Sequence, residues 1–129
     1  MNVVDSSGWL EYFTRGENAS FFIPPLYDIE HLLVPSICMY EVFKRLLAER
    51  DEDAALLAVG IMAQGKEIPL DRRIALEAAH ISLDLKLAMA DSIILATARV
   101  HDAVLWTQDS HFAGLEAVHY IAKKKNSPN

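Results

Sequence analysis

Met89-Ala90-Asp91-Ser92-Ile93-Ile94-Leu95-Ala96-Thr97-Ala98-Arg99-Val100, followed closely by Ala103-Val104-Leu105-Trp106-Thr107-Gln108-Asp109, decides the fold. The first stretch opens on an acid and a serine and is then apolar almost all round the helical wheel. A helix of that kind is covered on more than one side. The second stretch is a short apolar run closed by a polar turn, which reads as a buried strand. A covered helix leading into a buried strand belongs to a layered α/β domain.

The alternation extends in both directions. Met1 to Val4 reads as a first strand, broken by Ser6-Ser7-Gly8. Trp9, Leu10, Tyr12 and Phe13 form the apolar face of a first helix, with Gly16 as its stop. Pro24-Pro25 points to a second helix that begins after Pro25. Leu32 to Val34 is a second strand, and Ser36 suits the N-cap of a helix reaching about Arg50. A helix over Asp51 to Gln64, a strand over Glu67 to Leu70 and a helix from Arg72 to about Leu85, capped by Asp71, come next. After the fourth strand, Ala103 to Trp106, Val118 to Ile121 is a fifth. Strands separated by helices imply a parallel sheet.

Composition sets limits. The chain has 129 residues, 52% hydrophobic and 23% charged, which suits one domain with a substantial core. No apolar stretch reaches the ~18 residues of a membrane span. No signal-peptide run is evident at the N-terminus, and the single cysteine, Cys38, fits a reducing cytoplasm as an inert core thiol. The net charge of −6 argues against a protein that coats nucleic acid by charge alone. It is compatible with an enzyme that approaches phosphate through metal ions, and with a basic partner.

Four acids stand at strand ends or in the first turns of helices: Asp5, Glu41, Asp91 and Asp109. In an open parallel sheet the carboxyl ends of the strands share one edge, where ligands bind. Carboxylates gathered there repel one another unless a cation joins them, and hard divalent cations prefer oxygen ligands. Singly, each acid has a plainer explanation. Asp5 suits a helix cap, Asp91 favours a helix dipole, and Asp109 starts a Ser-His turn. Periodicity sets Glu41 opposite the stripe Met39, Val42, Phe43 and Leu46, on a solvated face. His111 reads either as a turn histidine or as a contact to phosphate or a second ion. His31, His80, His101 and His119 show no ligand-like spacing.

As a set, Val4-Asp5-Ser6-Ser7, Pro35-Ser36 to Glu41-Val42, Ala90 to Ala98 and Thr107-Gln108-Asp109-Ser110-His111-Phe112 resemble the PIN-domain ribonucleases, and among them the VapC-type toxins of toxin–antitoxin pairs. The resemblance spans nearly the whole chain. It implies a three-layer domain over residues 1–122, with helices flanking a parallel five-stranded sheet in the order 3-2-1-4-5, and a polar tail over 123–129. It implies a Mg²⁺ or Mn²⁺ site and hydrolysis of structured RNA. Asp5, Glu41, Asp91 and Asp109 fall on the family's acids, Thr107 on its supporting hydroxyl and Ser6 on a further hydroxyl position. Asp5 with Asp91 or Asp109 is expected to touch the metal directly, and Glu41 to act through water. Many members carry another Asp where this chain has His111, which bears on a second metal position. Phe112 is expected to pack the loop.

Other classes fit less well. A haloacid-dehalogenase-like phosphatase wants a second acid where this chain has Ser7. A response-regulator receiver wants an acid pair at its first strand and a lysine after its last. A catalytically silent module that binds protein or RNA would keep four converging acids at an electrostatic cost. The implied partners are RNA, an antitoxin protein and a second copy of the chain. The surplus of large apolar groups, among them Trp9, Tyr12, Phe21, Tyr27, Leu56 and Leu57, suits a groove for an antitoxin helix. Arg72-Arg73 and Lys123-Lys124-Lys125 are the basic clusters; they read as a solvated face, with contact to RNA backbone as the alternative.

Overall fold

The structure, a computed structural model, describes residues 1–124. Five strands form one parallel sheet in the order β3-β2-β1-β4-β5. They are β1 (Asn2–Val4), β2 (Leu32–Pro35), β3 (Lys66–Ile68), β4 (Val104–Thr107) and β5 (Val118–Tyr120). The helices are α1 (Ser6–Phe13), α2 (Ala19–Tyr27), α3 (Ser36–Glu49), α4 (Glu52–Met62), α5 (Arg72–Leu85) and α6 (Met89–Val100). The strand order matches the one the resemblance implied. Of the polar tail, the part from residue 125 onward lies outside the described residues.

Val3 and Val4 point to opposite faces of central strand β1, and both are fully buried. The sheet is therefore covered on both sides, as a parallel sheet requires, which makes the domain three layers. In α6, Ser92 to Ala98 are all buried, so the helix is enclosed as its sequence predicted. Its two buried hydroxyls turn back on the helix: Ser92 Oγ donates to Ala88 O and Thr97 Oγ1 to Ile93 O. No buried polar atom there is left bare. Phe112 is fully buried, and Cys38 lies in the core, where burial pushes its thiol pKa up and keeps it unreactive.

Several local expectations are corrected. α2 runs through Pro24 and Pro25 instead of starting after them. Phe22, Pro25 and Leu26 fall on one buried face, and that packing outweighs the helix hydrogen bonds the prolines cannot make. Ser36 is the first helical residue of α3, not its N-cap, and its Oγ donates to Glu67 Oε2 at 2.8 Å. Gly16 does not end α1. Arg15 takes the left-handed turn, at φ 55. A Cβ at Gly16 would lie 2.2 Å from the Glu11 carboxylate, which Asn18 N and Gln108 Nε2 hold in place. β3 is displaced towards its N-terminus relative to the expected strand, and Ile68 pairs with Pro35.

Candidate active site

The strand order reverses between β1 and β4, so the two chains leaving their carboxyl ends part and open a crevice. Asp5 and Thr107 stand on its two sides. Asp5 caps α1: its Oδ1 accepts from Gly8 N at 2.9 Å. Thr107 Oγ1 donates to Asp5 Oδ2 at 2.6 Å, and Ser7 Oγ lies 2.8 and 3.0 Å from the two carboxylate oxygens. Despite these donors, burial dominates, and the Asp5 pKa rises to about 6. The Thr107 hydroxyl also accepts from Asp109 N at 2.9 Å. One side chain thus holds the first acid and the backbone of the last.

Glu41 comes from the second turn of α3. It is half-buried, not solvated, and its Oε1 accepts from Ser6 Oγ at 2.6 Å. Asp91 comes from the first turn of α6. Burial raises its pKa first, and the nearby charges of Asp109 and Glu41 raise it further. Asp109 caps the short turn Ser110–Phe112, accepting from His111 N at 2.9 Å. That turn brings the His111 ring back to the acids, with Nδ1 3.1 Å from Asp109 Oδ1 and 3.7 Å from Asp91 Oδ2. The sequence left His111 open between a turn residue and an ion contact. Geometrically its ring is exposed but faces the cluster.

Asp91, Asp109 and His111 each offer a ligand atom, and these atoms lie within 4.8 Å of one another. Asp5 and Glu41 are not in that trio, but they line the same cleft with Asp91 and Asp109, a cavity of about 400 Å³. The residues fit a hard divalent cation. They are oxygen donors with one imidazole, and burial, then the charges of Asp109 and Glu41, raises the Asp91 pKa, a cost that a cation would relieve. All seven residues singled out in the sequence, Asp5, Ser6, Glu41, Asp91, Thr107, Asp109 and His111, are in or against this cleft.

Other residues were missed. Ser7 touches both Asp5 oxygens, and its place just inside a helix capped by Asp was the available signal. Gln108 is buried between Thr107 and Asp109. Its Oε1 accepts from Asn18 Nδ2 at 3.0 Å and its Nε2 donates to Glu11 Oε1 at 3.2 Å. Glu11 also accepts from Asn18 N at 2.8 Å. This network ties α1, the start of α2 and the end of β4 together behind the site. No local pattern announces it, because its members are 90 and 97 residues apart from Gln108.

A parallel α/β domain with carboxylates gathered at its switch point has the layout of a cation-assisted phosphoryl hydrolase. Residues 3–117 match the model of the PIN domain, and the chain belongs to that family. No curated protein matches it in sequence. Among solved structures it is similar to a toxin–antitoxin complex from Klebsiella pneumoniae (TM-score 0.78, 22% identity, covering 92% of this chain and 96% of that one). It is also similar to VapC20 of Mycobacterium tuberculosis, a sarcin–ricin-loop-cleaving toxin (TM-score 0.73, 16% identity, 92% and 98% covered). A third is VapBC-1 from nontypeable Haemophilus influenzae (TM-score 0.71, 16% identity, 94% and 96% covered). At these identities the likeness carries the fold.

Proposed function

We propose that this PIN domain is a Mg²⁺- or Mn²⁺-dependent endoribonuclease and the toxin of a toxin–antitoxin pair. The observation that carries the reading is the convergence of Asp5, Glu41, Asp91 and Asp109, from four separate elements, on one cleft at the β1–β4 switch point. A bound divalent cation would supply an activated water and neutralise charge on the phosphodiester. Asp91 and Asp109, with His111 beside them, would hold it, and Asp5 would face it from the floor of the cleft. Glu41, steadied by Ser6, is placed to accept a proton from water at the cleft wall. Thr107 orients Asp5 and fixes the backbone that carries Asp109.

The partner readings rest on surfaces. Tyr27 and Leu57 are exposed, and Trp9, Tyr12, Leu26, Tyr27 and Ile61 line an apolar groove of about 290 Å³, which suits an amphipathic antitoxin helix. One of the similar structures, from Klebsiella pneumoniae, is itself a toxin–antitoxin complex by name. Leu76, Leu83 and Met89 are exposed on α5 and α6, a face that suits a second copy. No helix among the described residues is long and apolar enough to cross a membrane, and the reading places the protein in the cytoplasm with its RNA.

The chain freed of any partner should cut structured RNA when Mg²⁺ or Mn²⁺ is added and stop in EDTA, leaving 5′-phosphate and 3′-hydroxyl ends. Cleavage that persists in EDTA, or ends in a 2′,3′-cyclic phosphate, overturns the mechanism. RNA binding with no cleavage under any divalent cation returns the protein to the class of silent binding modules. Light scattering and co-purification from the native host test the second copy and the antitoxin.

A further inference from the structure

Beside the acidic cleft lies a second, larger groove. It has a volume of about 620 Å³ and runs between the end of α1, the C-terminal half of α3 and the segment after β5. Ser7, Leu10 and Arg45 line both spaces, so groove and cleft are continuous. Deepening the nuclease reading and resting on it, we propose that this groove binds the sugar–phosphate backbone of the RNA strand that enters the cleft.

Charge is the first argument. The chain is acidic overall, with 12 Lys and Arg against 18 Asp and Glu. Arg15, Arg45, Lys123 and Lys124 nonetheless line this one groove, and Lys44 stands at the cleft beside it. Three acids, Glu11, Glu17 and Glu49, share the same walls and leave a small positive excess, and two of the three are engaged elsewhere. Glu11 faces inward, accepting from Asn18 N and Gln108 Nε2. Glu49 is paired with Arg45 Nε. That pair leaves the four N–H groups on the Arg45 Nη atoms, a fork suited to phosphate oxygens.

Position is the second argument. Arg45 lies one helical turn beyond Glu41 on the same face of α3, so the helix that carries the candidate proton acceptor also leads into the groove. A strand whose scissile phosphate sits among the acids meets four carboxylates there, against Lys44 and Arg45 on the cleft walls. A neighbouring basic track lets its flanking phosphates offset that repulsion. Leu10 is the one large apolar side chain among the described lining residues. The groove therefore lacks the anchors that a protein helix needs, which favours a nucleic-acid backbone as occupant.

The test uses Arg15→Asn/Lys123→Ala/Lys124→Ala in the full chain. These residues are exposed and lie outside the acidic cleft, and asparagine accepts the left-handed backbone of position 15. Anisotropy in EDTA would follow a labelled single-stranded RNA of roughly 12 nucleotides. The strand should lose about tenfold in affinity in the variant, and its salt slope should fall by about 2, near 0.7 per lost phosphate contact. The rise in Tm on adding Mn²⁺ should be unchanged in the variant, because the acidic cleft is intact. Equal affinity and equal salt slope for variant and wild type overturn the proposal while leaving the nuclease reading intact. Unchanged RNA binding with lost binding of a polyglutamate peptide would assign the groove to an acidic protein segment and also overturn it. A wild type that neither binds nor cuts RNA would instead sink the nuclease reading.

Discussion

Ser6 Oγ donates a 2.6 Å hydrogen bond to Glu41 Oε1 across 35 residues of sequence, joining the first residue of α1 to the second turn of α3. The bond turns an acid that periodicity places on a solvated face into a fixed wall of the cleft. Ser6→Ala should lower kcat/KM about tenfold, the value of one hydrogen bond to a charged group. Glu41→Gln should cost about a hundredfold or more, if Glu41 takes the proton. Melting temperatures should stay near wild type in both. A Ser6→Ala enzyme with wild-type kinetics would show that the bond does not position Glu41 for chemistry.

Asp5 makes a pH-dependent contribution to stability. Its folded pKa, about 6, lies above the ordinary 3.8 because burial disfavours the charged form. The fold therefore prefers protonated Asp5. The stabilisation is complete below about pH 3.8 and is lost as pH rises through about 6, an effect on the order of 3 kcal/mol. Without metal, Asp5→Asn should be more stable than wild type at pH 7.5, and the difference should shrink as pH falls towards 4. Cleavage should drop by orders of magnitude. Urea denaturation across that range decides it, and a constant difference at all pH values would refute the account.

A divalent cation should stabilise the native chain. Titrating Mn²⁺ or Mg²⁺ should raise Tm, because a ligand bound only by the folded state shifts the equilibrium. Asp91→Asn and Asp109→Asn should abolish the shift. With its ring 3.1 Å from Asp109, His111→Asn should move the titration midpoint about tenfold higher. An unchanged midpoint would return His111 to the role of a simple turn residue.

Gly8→Ala should destabilise the protein although alanine is the better helix former. A Cβ at Gly8 would lie 2.6 Å from Phe22 Cε1 and 2.7 Å from Val4 Cγ1, where α1 crosses the core. Overpacking costs about 1–3 kcal/mol, more than the ~1 kcal/mol gained in propensity. Thermal denaturation should show a Tm lower by several degrees. A higher Tm would mean that Phe22 moves aside freely.

Much was legible in the chain itself, because some features depend only on neighbours in sequence. Hydrophobic periodicity located α5 and α6 within a residue of their ends, and Asp71 announced the cap of α5. Strand–helix alternation made the sheet parallel. The spacing of Asp5, Asp91 and Asp109 after strands or at helix starts put them on one edge. What only the tertiary structure decided depends on groups far apart in the chain. The burial of Phe22, Pro25 and Leu26 carried α2 through two prolines. The contact with Ser6 turned Glu41 inward. The Ser110–Phe112 turn set the His111 ring against Asp91. The Asn18–Gln108–Glu11 network has no local signature at all, and of the basic groove only the lysine run at Lys123-Lys124 shows in the sequence. Periodicity reports which side of an element is apolar, but partners 35 to 97 residues away decide whether a polar side chain meets water or another polar group.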